Sequence, residues 1–455
     1  MKTVSFCGIS GSGMSALAQV LAFEGVSVRG SDRSFDQGKD ESQKKALESL
    51  GIRIFPQDGS AVDSSLDCLY VSTAVEDSIP DVKKALSLGI PVRKRSDLLA
   101  DIFNSAPYSI AVGGTSGKTT VTAMIGFILD QTGKKPLVIN GGLLKNYADR
   151  QGIPNVILNH GNVCVAEADE SDGSIEKYRP FVSVVNNISM DHKTLAELQE
   201  LFADFAAKGR GGAVVNADCP NSRCLLEKSK NIVTFSAQNP HADVFVSDIK
   251  PLADGVSYRL KNKTHHLKLT GAFNVLNAAA AIAACRFLSV AEEDAATVLE
   301  RFEGTKRRLD RIGTKNGITV IDDFAHNPDK VRASLSALRD YKGRLIVMFQ
   351  PHGFSPMRLM GREIIDSFAA GLLPTDYLLM PEIFYAGGSV TKDISSKDLI
   401  DYAVSKGVQA LYFENRQQIK AKILSLAQSG DRIVIMGARD NTLPDFCREI
   451  LEDLS

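Results

Sequence analysis

Tryptophan is missing from this chain of 455 residues, an absence that by itself excludes nothing. Other absences are more informative. No apolar run approaches the ~20 residues that span a bilayer. The longest candidate, at 278–284, is Ala-rich, ends at Cys285-Arg286 and reads as a buried helix, so no membrane association is expected. The opening Met1-Lys2-Thr3-Val4-Ser5-Phe6 has neither the apolar region nor the cleavage site of a secretory signal. No C-x-x-C pair occurs among the seven cysteines, an odd number, which suits reduced thiols in the cytoplasm. No long block of like charge occurs and formal net charge is -1, so the basic footprint of a nucleic-acid binder is lacking. Short repeats and low-complexity segments are absent as well.

What remains is an ordinary globular composition, 44% hydrophobic and 24% charged. At roughly 100–200 residues per domain, the length suggests about three domains. Short apolar runs alternate with helical patterns, the signature of α/β architecture with parallel sheets. The first block, 1–106, starts with a strand at 4–8, a Gly-rich turn, a helix at 14–23 and a strand at 26–30, a compact βαβ unit. Further strands are expected at 68–72 and 91–93. The second, 107–308, has strands at 108–112, 163–168, 182–186 and 212–216, helices at 121–131 and 275–287, and an alternating stretch at 234–269 that suggests an antiparallel patch. The third, 309–455, alternates strands at 319–322, 344–349, 377–380 and 432–436 with helices.

The most telling local feature is Gly114-Thr115-Ser116-Gly117-Lys118-Thr119-Thr120, placed between an expected strand and an expected helix. Glycines let backbone N–H groups face phosphates, and the helix N-terminus adds positive potential. Lys118 can reach the β and γ oxygens of a nucleotide, and the Thr119 hydroxyl can hold Mg2+. Val112 stands where the longer G-x-x-x-x-G-K-[ST] form would have glycine, so this is the short G-T-x-G-K-T version.

Gly8, Gly11 and Gly13 form G-x-x-G-x-G, with Asp32 nineteen residues beyond Gly13 at the end of the second strand. A dinucleotide fingerprint would be spaced G-x-G-x-x-G. The turn therefore reads as a second nucleotide site, with pyrophosphate at the helix N-terminus and an acid near the ribose, or as a tight turn without ligand. On this block alone an NAD oxidoreductase is a rival, but hydride transfer has no use for a γ-phosphate cradle. Farther on, Glu167-Ala168-Asp169-Glu170-Ser171-Asp172 and Asp191-His192 each follow a strand, where α/β sheets place ligands. Behind a phosphate loop, such a Glu and His can hold a metal ion that bridges ATP and substrate.

Together these residues resemble the Mur ligases, the ATP-dependent amino-acid ligases of peptidoglycan synthesis, over nearly the whole chain. Gly8-Ile9-Ser10-Gly11-Ser12-Gly13-Met14-Ser15 is similar to the family run G-I-G-G-x-G-M-S, and the phosphate loop to G-T-H-G-K-T-T. The run at 167–172 reads E-A-D-E-S-D as in the family, and Asn187-Ile188 with Asp191-His192 resembles N-I-x-x-D-H. Asn274-Val275-Leu276-Asn277, Lys306-Arg307-Arg308, Asp322-Asp323-Phe324-Ala325-His326-Asn327-Pro328 and Phe349-Gln350-Pro351-His352 complete the set.

The resemblance implies a Rossmann-like UDP-binding domain, a central P-loop ATPase-type domain and a Rossmann-like C-terminal domain for the incoming amine. It implies small-molecule substrates, ATP and Mg2+ as cofactors, and a monomer or homodimer. The activity implied is formation of an amide between L-alanine, or a short peptide, and the carboxylate of UDP-N-acetylmuramate through an acyl phosphate; recycling of a murein tripeptide is the alternative. Another ligase of the same scaffold with a different amine, or a non-catalytic nucleotide-binding partner, are further readings. The resemblance carries ATP contacts onto Gly114, Thr115, Ser116, Gly117, Lys118, Thr119, Thr120, Asn274, Asn277, Arg308 and Asp323. It carries the metal onto Thr119, Glu167 and His192, the UDP-sugar onto Gly8, Gly11, Gly13, Met14, Ser31, Asp32, Ser72 and Thr73, and catalytic roles onto Lys118, Glu167, His192, His326 and Arg358. Closure of the domains over the nucleotide would keep water from the acyl phosphate.

The chain departs from the pattern in places. Where L-alanine-adding members read F-Q-P-H-R-Y-T-R-T-R, this chain reads Phe349-Gln350-Pro351-His352-Gly353-Phe354-Ser355-Pro356-Met357-Arg358. Arginine is the natural bidentate clamp for a carboxylate, and only Arg358 remains in register. Ser116 replaces the loop histidine, Phe273 precedes Asn274 in place of histidine, Lys193-Thr194 follows His192, and Asn327 replaces a second histidine.

Overall fold

The computed structural model describes residues 2–72, 75–170, 173–189, 194–227, 229, 231–252, 254–385 and 391–454. Among the described residues, three sheets organise the chain, with helices between their strands. In the first, the strand order is Arg53–Phe55, Ser27–Ser31, Thr3–Cys7, Cys68–Val71, Val92–Lys94, and every pairing is parallel. The helix Ser12–Phe23 leaves the Gly-rich turn and buries Met14 through Val20. Gly30 lets the second strand approach that turn: a Cβ there would lie 2.3 Å from the Ile9 side chain.

Among the described residues, the second sheet has ten strands. At its centre Tyr108–Gly113 lies parallel between Val182–Val185 and Val163–Glu167. These strands are apolar at nearly every position because helices and loops cover both faces. The stretch expected to alternate forms three successive strands, Val244–Leu252, Gly255–Leu260 and Lys263–Leu267, at one edge. The helix Leu195–Ala207 was not anticipated. Its signature, Thr194 followed three residues later by Glu197, is a reciprocal cap in which Thr194 N donates to Glu197 Oε2 at 2.8 Å.

Contacts divide the chain into two compact units. The first comprises Met1–Ile249, Ser257–Lys268 and Val275–Thr305, so the Thr3–Cys7 and Tyr108–Gly113 strands belong to the same unit. A buried polar seam joins them. Gln19 Nε2 donates to Asn155 Oδ1 at 2.9 Å, Ile153 N donates to Gln19 Oε1 at 2.8 Å, and Asn155 Nδ2 donates to Ser12 O at 2.8 Å.

The second unit comprises Lys250–Val256, Leu269–Asn274 and Lys306–Ser455. Its sheet has the order Asp310–Lys315, Ile318–Asp323, Arg432–Met436, Leu345–Phe349, Tyr377–Met380, Ala410–Tyr412, parallel except for the first pairing. Alternate residues face opposite cores: Val320, Ile346, Met348, Ile433 and Ile435 pack in one, Ile321, Val347, Phe349, Val434 and Met436 in the other.

Candidate active site

The phosphate loop is built as its glycines suggest. Gly114 and Gly117 have φ of +128° and +84°, and a Cβ at Gly117 would meet Asn186 Nδ2 at 2.3 Å and Asn277 Oδ1 at 2.7 Å. Helix Lys118–Gln131 starts directly after Gly117, so its first N–H groups, which have no intrahelical partner, open at the loop. Two asparagines beyond the Val182–Val185 strand fix the loop's shape. Asn187 Oδ1 accepts from Ser116 N at 2.8 Å and Thr115 Oγ1 at 2.9 Å, and its Nδ2 donates to Ser116 O at 3.0 Å. Asn186 Nδ2 donates to Ser116 O at 3.0 Å and to Asn277 Oδ1 at 2.9 Å, which ties Asn277 to the loop. Thr120 is buried in the helix's first turn.

Two acids reach the loop from the end of the Val163–Glu167 strand. Glu167 Oε2 accepts from the Thr119 hydroxyl at 3.1 Å, and Oε1 from Gly141 N at 2.6 Å. Lys118 Nζ donates to Glu170 Oε2 at 2.7 Å and to Gly114 O at 2.8 Å. Glu170 stood in the matched run but was given no role from the sequence, because its partner lies 52 residues away. His192 and Thr73 lie outside the described residues.

The N-terminal turn is held by its own backbone and by Asp32. Gly8 N and Ile9 N both donate to Ser31 O, at 2.8 and 3.1 Å. Asp32 Oδ2 accepts from Ser10 N and Oδ1 from Ser34 N, each at 2.9 Å, so this acid fastens the turn and caps the following short helix. Gly11 caps helix Ser12–Phe23, and a Cβ on Gly13 would lie 2.9 Å from Arg95 Nη1, a guanidinium beside the turn that the sequence reading passed over. Met14 is buried, and the buried Ser31 hydroxyl donates to Asp81, a buried carboxyl also bonded to Gly59 N at 2.7 Å. Ser72 follows the Cys68–Val71 strand, its Oγ 4.0 Å from the position of a Cβ on Gly8.

In the second unit, three neighbouring strands of the sheet end side by side. Gln350 N donates to Met436 O at 2.8 Å and Gly437 N to Asp323 O at 3.1 Å. This brings the His326 and His352 rings to 5.5 Å, edge to face. Burial holds both imidazoles neutral, pushing His326 down to about 3 and His352 to about 4. His326 Nδ1 lies 2.7 Å from Phe324 O. A carbonyl only accepts, so Nδ1 carries the proton and Nε2 keeps the lone pair.

Asp323 is buried, with Oδ1 accepting from Leu309 N at 3.2 Å and Oδ2 from the Ser334 hydroxyl at 2.5 Å. Among the described residues, its neighbour Asp322 has no hydrogen bond to either oxygen, and burial raises it to about 7 although Arg307 Nε stands 3.6 Å away. Arg308 lies over the Phe324 ring at 4.8 Å, and Asn274 Nδ2 donates to Thr270 O at 2.8 Å.

Arg358 is engaged within the chain, its Nε donating to Asp393 at 3.0 Å. One of the two missing arginines has a structural correlate. Gly353, with φ +71°, precedes helix Phe354–Gly371, and a Cβ there would be 3.1 Å from Pro356 Cδ.

Three family models match in order: "Mur ligase family, catalytic domain" over 3–106, "Mur ligase middle domain" over 112–285, and "Mur ligase, glutamate ligase domain" over 307–439. The chain is 34% identical over 449 residues to a UDP-N-acetylmuramate–L-alanine ligase of Sulfurihydrogenibium sp., covering 96% of this chain and 95% of that one. It is 32% identical over 451 residues to the enzyme of the same name from Dictyoglomus turgidum, covering 96% and 94%. Among solved structures it is similar to a UDP-N-acetylmuramate-alanine ligase from Thermotoga maritima, with TM-score 0.80, 25% identity and 99% of each chain covered. A murein peptide ligase from Psychrobacter arcticus shares the fold at TM-score 0.68 and 23% identity, covering 100% and 99%. The α/β architecture with three sheets, the phosphate loop and these full-length likenesses agree, and the chain belongs to the Mur ligase family.

Proposed function

We propose that this protein is an ATP-dependent, ADP-forming ligase that joins L-alanine to the carboxylate of UDP-N-acetylmuramate, a step in making peptidoglycan precursors. The observation that carries the reading is the arrangement at the phosphate loop, where Lys118 and Thr119 meet Glu170 and Glu167, in a chain whose full length matches ligases of that name. The muramyl carboxylate attacks the γ-phosphorus of ATP; the bond to the β-phosphate oxygen breaks, leaving ADP and an acyl phosphate. The amine nitrogen then attacks the acyl carbon, phosphate leaves, and the nitrogen gives up a proton. Lys118 neutralises charge that develops on the transferred phosphoryl group. We assign His326 a role at the reacting centre by family likeness; burial makes it a weak base, but its Nε2 lone pair can accept a hydrogen bond from the incoming amine.

The Thr119 hydroxyl and the Glu167 carboxylate, 3.1 Å apart, are oxygen donors of the kind Mg2+ takes, and His192 is the further candidate. When bound, Mg2+ would neutralise negative charge on the nucleotide's phosphates. Asn277 fits an ATP-site role through its tie to the loop, and Asn274, Arg308 and Asp323 are assigned ATP contacts by family likeness. We assign the UDP-sugar to the Gly8, Gly11 and Gly13 turn, and read the domains as 1–106, 107–308 and 309–455, which the spans of the three family models support. The seven unpaired cysteines suit the cytoplasm, the compartment we assign. We assign only small-molecule partners.

A second reading, a ligase that takes a peptide as its amine, is favoured by Gly353 and Pro356, which stand where L-alanine-adding members carry arginines, and by Arg358 being bound to Asp393. Phosphate release from ATP, Mg2+ and UDP-N-acetylmuramate with single amines separates the two. Release with L-alanine supports the first. Release only with L-Ala-γ-D-Glu-diaminopimelate supports the second, and no release with any amine refutes both.

A further inference from the structure

We propose that Glu170 is a positioning residue that acts through Lys118, an inference resting on the reading of Lys118 as the phosphate-binding lysine. The ammonium has three protons, and two are already committed, to Gly114 O at 2.8 Å and to Glu170 Oε2 at 2.7 Å. The pair is largely shielded from water, with side-chain exposures of 15% for Lys118 and 6% for Glu170. Glu170 is also held from behind. Ala168 N extends the ladder of the Val163–Glu167 strand by donating to Val112 O at 2.8 Å, and Asp169 O accepts from Ile175 N at 3.2 Å. Two acids three residues apart thus serve two successive loop residues, Glu167 taking Thr119 and Glu170 taking Lys118.

This arrangement has two opposed consequences. The buried carboxylate neutralises the ammonium, so an arriving nucleotide must compete for Lys118 and binds less tightly than it would to an uncompensated cation. The same contact fixes where the third N–H points, which matters when charge builds up on the transferred phosphoryl group. Binding energy forgone in the ground state and recovered in the transition state raises kcat.

Glu170→Gln keeps an acceptor of the same reach and removes the charge. We expect it to tighten ATP binding, measured by equilibrium titration without the other substrates, by about three- to tenfold, and to lower kcat about tenfold. In a Lys118→Ala background the same substitution should leave the ATP Kd unchanged, because the effect passes through the lysine. Weaker ATP binding, an equal tightening without Lys118, or a wild-type kcat would each overturn the proposal. Should Glu170→Gln fail to fold, Glu170→Asp keeps the charge but withdraws the acceptor by one methylene; it should lower kcat as well, and a wild-type kcat there would count against the proposal. The titrations need only ATP. If wild-type protein releases no phosphate with any amine, the ligase reading fails while the Kd cycle still decides the role of Glu170.

Discussion

Asp322 carries the clearest single-residue consequence. Its carboxyl is buried without a hydrogen bond and is raised to about 7, mainly by loss of solvation, with Arg307 only partly offsetting this. Between pH ~4 and ~7 the folded protein therefore holds a proton here that the unfolded chain has released, and this contribution falls as pH rises through that window. His326 and His352 have the opposite sign. Lowered to about 3 and about 4, they stay neutral when folded and take up protons on unfolding, so their contribution is lost as pH falls below the ordinary histidine value of 6.5. The two effects mask each other in the wild type. Denaturant unfolding of wild type and Asp322→Asn across pH 4.5–8 (a range chosen around ~4 to ~7) isolates the acid. Relative to the variant, wild type should lose up to about 1.4 kcal/mol for each pH unit between ~4 and ~7. Parallel profiles would show that Asp322 ionises normally.

At the scale of one element, the start of helix Phe354–Gly371 accounts for the glycine at 353, one of the two positions that lack the pattern's arginine. Gly353 holds φ +71°, a region costly for residues with a Cβ, and that Cβ would press on Pro356 Cδ at 3.1 Å. Restoring arginine at 353 should therefore destabilise the protein by roughly 1–2 kcal/mol, and should not improve use of L-alanine. Pro356→Arg replaces a half-buried proline in the first helical turn and should be tolerated, with a melting temperature close to wild type. Equal melting temperatures for Gly353→Arg and wild type would show that the backbone at 353 is not strained by a side chain.

For the whole molecule, the question is how separable its sites are. The phosphate loop and the N-terminal glycine turn rise from different sheets of the same unit, the loop fixed by Asn186 and Asn187, the turn by Ser31 and Asp32. Lys118→Ala should consequently cut kcat by orders of magnitude, of the size seen when a phosphoryl-transfer cation is lost, about 10³-fold. Binding of UDP-N-acetylmuramate, followed by calorimetry, should be unchanged. A parallel collapse of UDP-sugar affinity would refute the assignment of the two ligands to separate sheets. The Gln19–Asn155 seam, the Lys177–Asp97 ion pair and one shared apolar cluster join these sheets in one unit, although the sequence reads as a boundary near 106.

Much of this was legible in the chain itself. The strands at Tyr108–Gly113, Val182–Val185, Gly212–Asn216 and Arg432–Met436 fall within a residue or so of expectation, because a buried parallel strand is a short apolar run and a helix keeps its own period. The phosphate loop was equally plain, since its glycines, lysine and threonine are consecutive and their conformation is local. Short strands such as Arg53–Phe55 and Leu137–Ile139 passed unnoticed, being too brief to show a period. Tertiary structure alone decided which groups meet. Glu170 finds Lys118 across 52 residues, Asn186 and Asn187 reach back 70 and 71 residues to shape the loop, and Asp322 has Arg307 nearby but no hydrogen bond among the described residues, while both oxygens of Asp323, next to it, accept one. Local sequence determines backbone conformation through sterics and burial period; the pairing and desolvation of charges depend on distances set only when the sheets have assembled.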